Sequence, residues 1–135
     1  MDPTRTIKLR WLHGTLGDVA YQLTSVRFAQ MAPPAWQPAI NAFRCEAGVR
    51  VCVDLAGVDR SMIDLSVAPR SVVIRGERRA PEPSGEQDRA LQMLALEIDY
   101  GRFEREVELP IEVDVNRAYA EQTNGLLWIY LPAKE

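Results

Sequence analysis

Little in this chain is equipped for covalent chemistry. Its one histidine, His13, stands beside Gly14 with no nucleophile or carboxylate framework around it of the kind that acid–base catalysis needs. Two cysteines without a nearby histidine make no zinc site, and Cys45 and Cys52 fall within one strand–turn–strand segment at offsets that keep them from facing each other. No disulfide, metal or cofactor is expected. The glycines at 14 and 17, and Gly101-Arg102-Phe103, lack the lysine and the strand-to-helix setting of a phosphate loop. An enzyme is not the expected reading.

Other absences narrow the partners. No run approaches the ~18 apolar residues of a membrane-spanning helix. Lys8, Arg10, His13 and Asp18 interrupt every early apolar stretch before it reaches the length of a signal core, so the cytoplasm is the expected compartment. The 16 basic and 19 acidic residues are interleaved and leave a net charge of -3, whereas nucleic acid calls for clustered positive charge. Neither membrane nor nucleic acid is expected as a partner.

What remains is a chain of 135 residues, 47% hydrophobic and 26% charged, sufficient for one core. Residues 1–35 differ in kind from the rest. Leu16, Val19, Leu23 and Val26 recur at helical spacing after Thr15, with Asp18 completing a capping box, which predicts a short amphipathic helix from about Leu16 to Gln30. Pro33-Pro34 then stops any helix and begins a stiff connector. Trp11, Leu12, Leu16, Val19, Leu23, Val26 and Phe28 make this arm greasy, and two readings stay open for it: a helix packed on its own domain, or an adaptable surface for other proteins.

From residue 36 to 135 the signals are those of short strands. Ile40 and Ala42, then Val49, Val51 and Val53, then Ile63, Leu65 and Val67, then Ser71 to Gly76, follow one another with turns and no helices between, as in an antiparallel β-sandwich. Residues 77–90 carry Pro81, Pro83, Gly85 and many charges and are expected to protrude as a loop. Leu94, Leu96, Ile98 and Tyr100 alternate with polar or small residues, as do Phe103, Arg105, Val107 and Leu109, giving two edge-like strands hinged at Gly101 whose acidic outer face discourages stray pairing. Asn124-Gly125 accepts positive φ at two successive positions and predicts a hairpin. The strand after it alternates Leu127, Ile129 and Leu131 with Leu126, Trp128 and Tyr130, so that both faces are apolar and an interior position is expected.

Five segments, in order over nearly a hundred residues, resemble the α-crystallin domain of small heat-shock proteins: Trp36-Gln37-Pro38-Ala39-Ile40-Asn41; Val53-Asp54-Leu55-Ala56-Gly57-Val58; Val73-Ile74-Arg75-Gly76-Glu77-Arg78; Tyr100-Gly101-x-Phe103-x-Arg105-x-x-x-Leu109-Pro110; and Ala120-x-x-x-Asn124-Gly125-x-Leu127. The resemblance implies an all-β, immunoglobulin-like sandwich and leaves the N-terminal arm, read above as partly helical, unmatched. It implies an ATP-independent chaperone that holds partly unfolded client proteins, works as a homodimer or a higher oligomer, and needs no cofactor. It also implies a strand exchanged between subunits on the long loop, with Arg89, Leu91, Met93, Leu94, Tyr100, Gly101 and Arg105 at the dimer contact. A groove is implied between the strand of Leu65 and Val67 and that of Arg117, Tyr119 and Glu121, where relatives dock a C-terminal Ile-x-Ile/Val tail.

This chain ends at Glu135 without that motif, so tail-latched cages are not expected. Ile7-Lys8-Leu9 has two apolar residues of matching spacing, suited either to the same groove or to another apolar arm. A rival of another class is a co-chaperone-like β-sandwich scaffold that binds one specific partner.

Overall fold

Apolar residues at every second position, cut by glycine, proline and asparagine turns, build two antiparallel sheets packed face to face. The computed structural model describes residues 7–10, 20–22, 34–83, 85 and 87–135. Its strands are β1 (Ile7–Arg10), β2 (Ala20–Gln22), β3 (Ile40–Cys45), β4 (Gly48–Asp54), β5 (Ile63–Ala68), β6 (Ser71–Arg78), β7 (Gly101–Glu108), β8 (Tyr119–Thr123) and β9 (Leu126–Pro132). One sheet has the order β2-β1-β5-β6-β7, the other β3-β4-β9-β8.

The core follows from the period of two. Ile63, Leu65 and Val67 of β5, Val72 and Ile74 of β6, and Phe103 and Val107 of β7 meet Val49, Val51 and Val53 of β4, Ala120 of β8, and Leu127, Ile129 and Leu131 of β9. Burying each aliphatic side chain of this kind contributes about 1.5–3 kcal/mol, and among the described residues no polar side chain is buried. Register is therefore strongly specified, since a one-residue slip would turn every core side chain outward.

Asn124 (φ 52°) and Gly125 (φ 81°) form the two-residue turn joining β8 to β9, with Thr123 opposite Leu126. Before β5, the Asp59 carboxylate accepts bonds from the backbone N–H and the hydroxyl of Ser61, both at 2.9 Å, and caps a single turn of 3-10 helix at Arg60–Met62. Those bonds, the backbone one first, hold the Asp59 carboxyl below the usual carboxylate range. Their contribution to folding is present above the ordinary aspartate pKa and is lost as pH falls through the lowered one.

Three expectations are corrected. The helix expected from about Leu16 to Gln30 is not formed at residues 20–22, which are strand and pair with β1 through Lys8↔Gln22, Leu9↔Tyr21 and Arg10↔Ala20; the rest of that span lies outside the described residues. Long-range pairing outweighs local periodicity there. Leu94 to Tyr100 alternates like a strand but joins no ladder among the described residues, because period alone does not supply a pairing partner. On β9 only Leu127, Ile129 and Leu131 are interior; Leu126, Trp128 and Tyr130 lie on the outer face, exposed or half-buried.

β1 also runs along the β5 edge, with Ile7 opposite Val67 and Leu9 opposite Leu65. Ile7-Lys8-Leu9 thus lies beside the strand expected to form one wall of the groove.

Candidate functional site

The long connection between β6 and β7 carries most of the exposed large apolar side chains among the described residues. Arg78 and Gly101 are the last paired residues at its base, and Gly101, at φ +91°, makes the bend into β7 that a side chain would oppose. Between them Leu91 is 95% exposed, Leu94 87% and Ile98 59%, with Met93, Leu96 and Tyr100 also exposed and Arg89 in solvent. Leu94, Leu96 and Ile98 fall on one face of any extended conformation. Isolated surface leucines need no explanation, but a row of large apolar side chains on one segment marks an interaction surface.

The base of the loop is held by side chains distant in sequence. Arg78 donates from Nε (2.7 Å) and Nη2 to the Asp99 carbonyl and from Nη1 to the Ala56 carbonyl at 3.0 Å. Its guanidinium lies 4.2 Å from the centre of the Trp36 ring. The Trp36 indole donates to the Gly101 carbonyl at 3.0 Å and tilts at 55° against Phe103 with centroids 5.2 Å apart. Sequence reasoning placed Arg78 and Trp36 in motifs without finding this cluster, since the acceptors are backbone carbonyls and no residue type betrays them.

The other sheet offers an open edge. Residues 41–44 of β3 are exposed, and β3 pairs only with β4 among the described strands. It is six residues long and without proline, the kind of edge that accepts a further strand. Its outer face is aromatic. Phe43 stacks on Trp128 (6.4 Å, 20°), Tyr119 on Tyr130 (4.6 Å, 19°), and Arg50 lies 5.3 Å over Tyr130. Desolvation first, then the nearby Glu121, push the Tyr130 hydroxyl pKa up.

Cys52 is buried between these rows, and desolvation, with Asp54 adding to it, raises its thiol pKa. Cys45 is half-buried at the rim, and both thiols are free. A maleimide is therefore expected to label Cys45 in the native protein and to reach Cys52 only in denaturant, as peptide mass spectrometry can read. Equal labelling of both under native conditions would contradict the placement of Cys52.

A sequence profile described as the Hsp20/alpha crystallin family matches residues 42–135. The chain belongs to that family. The 18 kDa antigen 1 of Mycobacterium intracellulare is 31% identical over 134 residues, which is 99% of this chain and 76% of that one. Among solved structures, heat shock protein 16.0 from Schizosaccharomyces pombe matches with a TM-score of 0.65 at 28% identity, over 81% of this chain and 82% of that one. The hspA protein of Xanthomonas axonopodis matches with a TM-score of 0.60 at 31% identity, over 73% and 95%. The fold is thus the α-crystallin sandwich, and a chaperone role comes with the family.

Within this small heat-shock protein the expected groove residues do not share a surface. Leu65 and Val67 are fully buried in the core, whereas Tyr119 stacks outward because β8 turns Ala120 inward, and Arg117, expected on the same strand, is exposed in a 3-10 turn that precedes β8. Glu121 is half-buried on the outward row, opposite Trp128. Alternation shows which residues share a face of a strand but not which face turns inward. Arg105 lies on the same side of β7 as Phe103, and its Nη1 donates to the Pro38 carbonyl at 3.2 Å, tying β7 to the segment leading into β3. Ala120 and Leu127 are buried opposite one another's strands, and Asn124-Gly125 is the turn between them. The arm residues Trp11, Leu12, Leu16, Val19, Leu23, Val26 and Phe28 lie outside the described residues.

Proposed function

We propose that this small heat-shock protein is an ATP-independent holdase: a cytoplasmic homodimer, joined through the loop at residues 79–100, that holds partly unfolded proteins and keeps them from aggregating. The observation that carries this reading is the exposed row Leu91, Met93, Leu94, Leu96 and Ile98 in a chain that also has an unpaired edge at β3. In extended form the Leu94–Ile98 segment suits the six-residue β3 edge of a second copy, with main-chain hydrogen bonds supplying affinity and alternate side chains supplying fit. Two free thiols accord with a reducing compartment.

Unfolding proteins present apolar side chains together with unpaired backbone, so a captor needs apolar cover and strand-accepting edges. The arm residues Trp11, Leu12, Leu16, Val19, Leu23, Val26 and Phe28 offer the first. The β5 edge offers the second, where a client strand adds beside Leu65–Val67 by displacing Ile7–Arg10. At ~25 cal/mol per Å² of apolar area, a patch of several hundred Å² suffices for about micromolar holding after ordering costs, and no nucleotide is required.

The test is suppression of aggregation of two unrelated proteins heated without ATP, followed by light scattering. Protection of both is expected; protection of one alone would favour a scaffold with a specific partner, and protection of neither would overturn the reading. A Trp11→Ser/Leu12→Ser/Phe28→Ser variant is expected to lose most of the protection while remaining dimeric by sedimentation. Full protection by that variant would remove the arm from the mechanism.

A further inference from the structure

Arg78 is the last residue of β6, and its side chain reaches three segments that the chain order keeps apart. The guanidinium donates twice to the carbonyl of Asp99, at the far end of the loop, and once to the carbonyl of Ala56, in the turn after β4. Its face covers the ring of Trp36, just upstream of β3. Trp36 is fixed in turn by its bond to the Gly101 carbonyl and its contact with Phe103, and Ala35 N–H donates to the Arg102 carbonyl at 2.8 Å. We propose that Arg78 is a positioning residue for subunit pairing: it clamps the neck of the loop at residue 99, so that the Leu94–Ile98 row leaves the sandwich in a set direction, ready for a second copy. This rests on the dimer reading given above.

The chemistry favours arginine over any cation. All the acceptors are backbone carbonyls, so no carboxylate draws a charge here, and the useful property is a planar fork whose donors diverge while its face stacks on an aromatic ring. An ammonium can sit over Trp36 but cannot satisfy Asp99 and Ala56 in the same plane. Without the clamp, the neck keeps the terminal Arg78↔Gly101 pair of the β6–β7 ladder and the Trp36 bond to the Gly101 carbonyl but loses both side-chain bonds to residue 99, and ladder ends fray. Residues 99 and 100 then regain backbone freedom that pairing must remove again, so the dimer dissociation constant should rise by about tenfold or more.

The test uses the full chain with Arg78→Met, Arg78→Gln and Arg78→Lys. Dilution-dependent sedimentation is expected to show a dissociation constant raised about tenfold in Arg78→Met and Arg78→Gln, and raised nearly as far in Arg78→Lys. Amide hydrogen exchange should accelerate at residues 99–102 in all three while the β4 and β9 amides keep their wild-type protection. Wild-type behaviour of Arg78→Lys would show that charge suffices and would overturn the role of the fork. Uniform acceleration across the core would show a merely structural residue and overturn the proposal as well. A wild-type chain that is monomeric at every concentration would refute the dimer reading instead; the exchange at residues 99–102 then judges the clamp alone, and unchanged exchange there refutes it.

Discussion

Gly76→Ala is expected to lower the thermal midpoint of the domain by about 10–20 °C, a very large effect for one added methyl group. Ordinarily this exchange in a strand gains stability, since alanine surrenders less chain entropy than glycine. Here Gly76 stands in the middle strand of three, between Ile63 on β5 and Phe103 on β7. A Cβ would lie 2.2 Å from the Met62 carbonyl oxygen and 2.5 Å from the nearest atom of the Phe103 ring. Neither neighbour can yield cheaply: one is backbone at the start of β5, and the other is a ring 2% exposed that packs against Trp36. Overpacking of this kind costs roughly 3 kcal/mol, which in a domain near 100 residues corresponds to the shift stated. Circular dichroism melts would show it. Adding Phe103→Leu should recover part of the loss, because it removes one of the two clashing groups; a fully additive double variant would mean that the ring is not the obstacle.

Leu94→Asp/Ile98→Asp should do the opposite, leaving the melt of the single chain nearly unchanged while abolishing the dimer. Both side chains are exposed in the isolated chain, at 87% and 59%, so the substitution removes no contact within the fold. Against a second copy's β3, each carboxylate would be taken out of water, and Arg44, the single basic residue of that strand, could pair with at most one of the two. Burying an unpaired charge at an interface costs several kcal/mol, enough to weaken pairing by about a hundredfold or more. Sedimentation velocity at micromolar concentration should change from dimer to monomer. A dimer of unaltered stability would mean that the subunits join elsewhere, and the loop would lose the role proposed for it.

Local signals in the sequence reach far into this fold. Asn124-Gly125 identifies its own turn, because positive φ at two successive residues is a demand that few residue types meet. The alternation along Val49-Val51-Val53 and Leu127-Ile129-Leu131 identifies both strands and groups the residues that share a face, because a strand in a sheet leaves its period of two in the sequence. What escapes is whatever depends on a distant partner. Leu94 to Tyr100 has the period of a strand but joins no ladder among the described residues. Residues 20–22 lie in a stretch with helical period and yet pair with β1. Trp128 and Tyr130 look like core residues until the stacking of Phe43 and Tyr119 on them shows an aromatic outer face. The Arg78 cluster is hidden for the same reason, since its partners are carbonyls dozens of residues away.

The backbone bond from Ala35 to Arg102, and the indole of Trp36 on Gly101, fasten the point where the N-terminal arm leaves the sandwich to the strand that begins where the loop ends. In the proposed mechanism, cargo tugging on the arm would therefore pull on the hinge of the dimer loop. Capture and subunit pairing would then share one mechanical joint, and a load applied to either would be felt by the other.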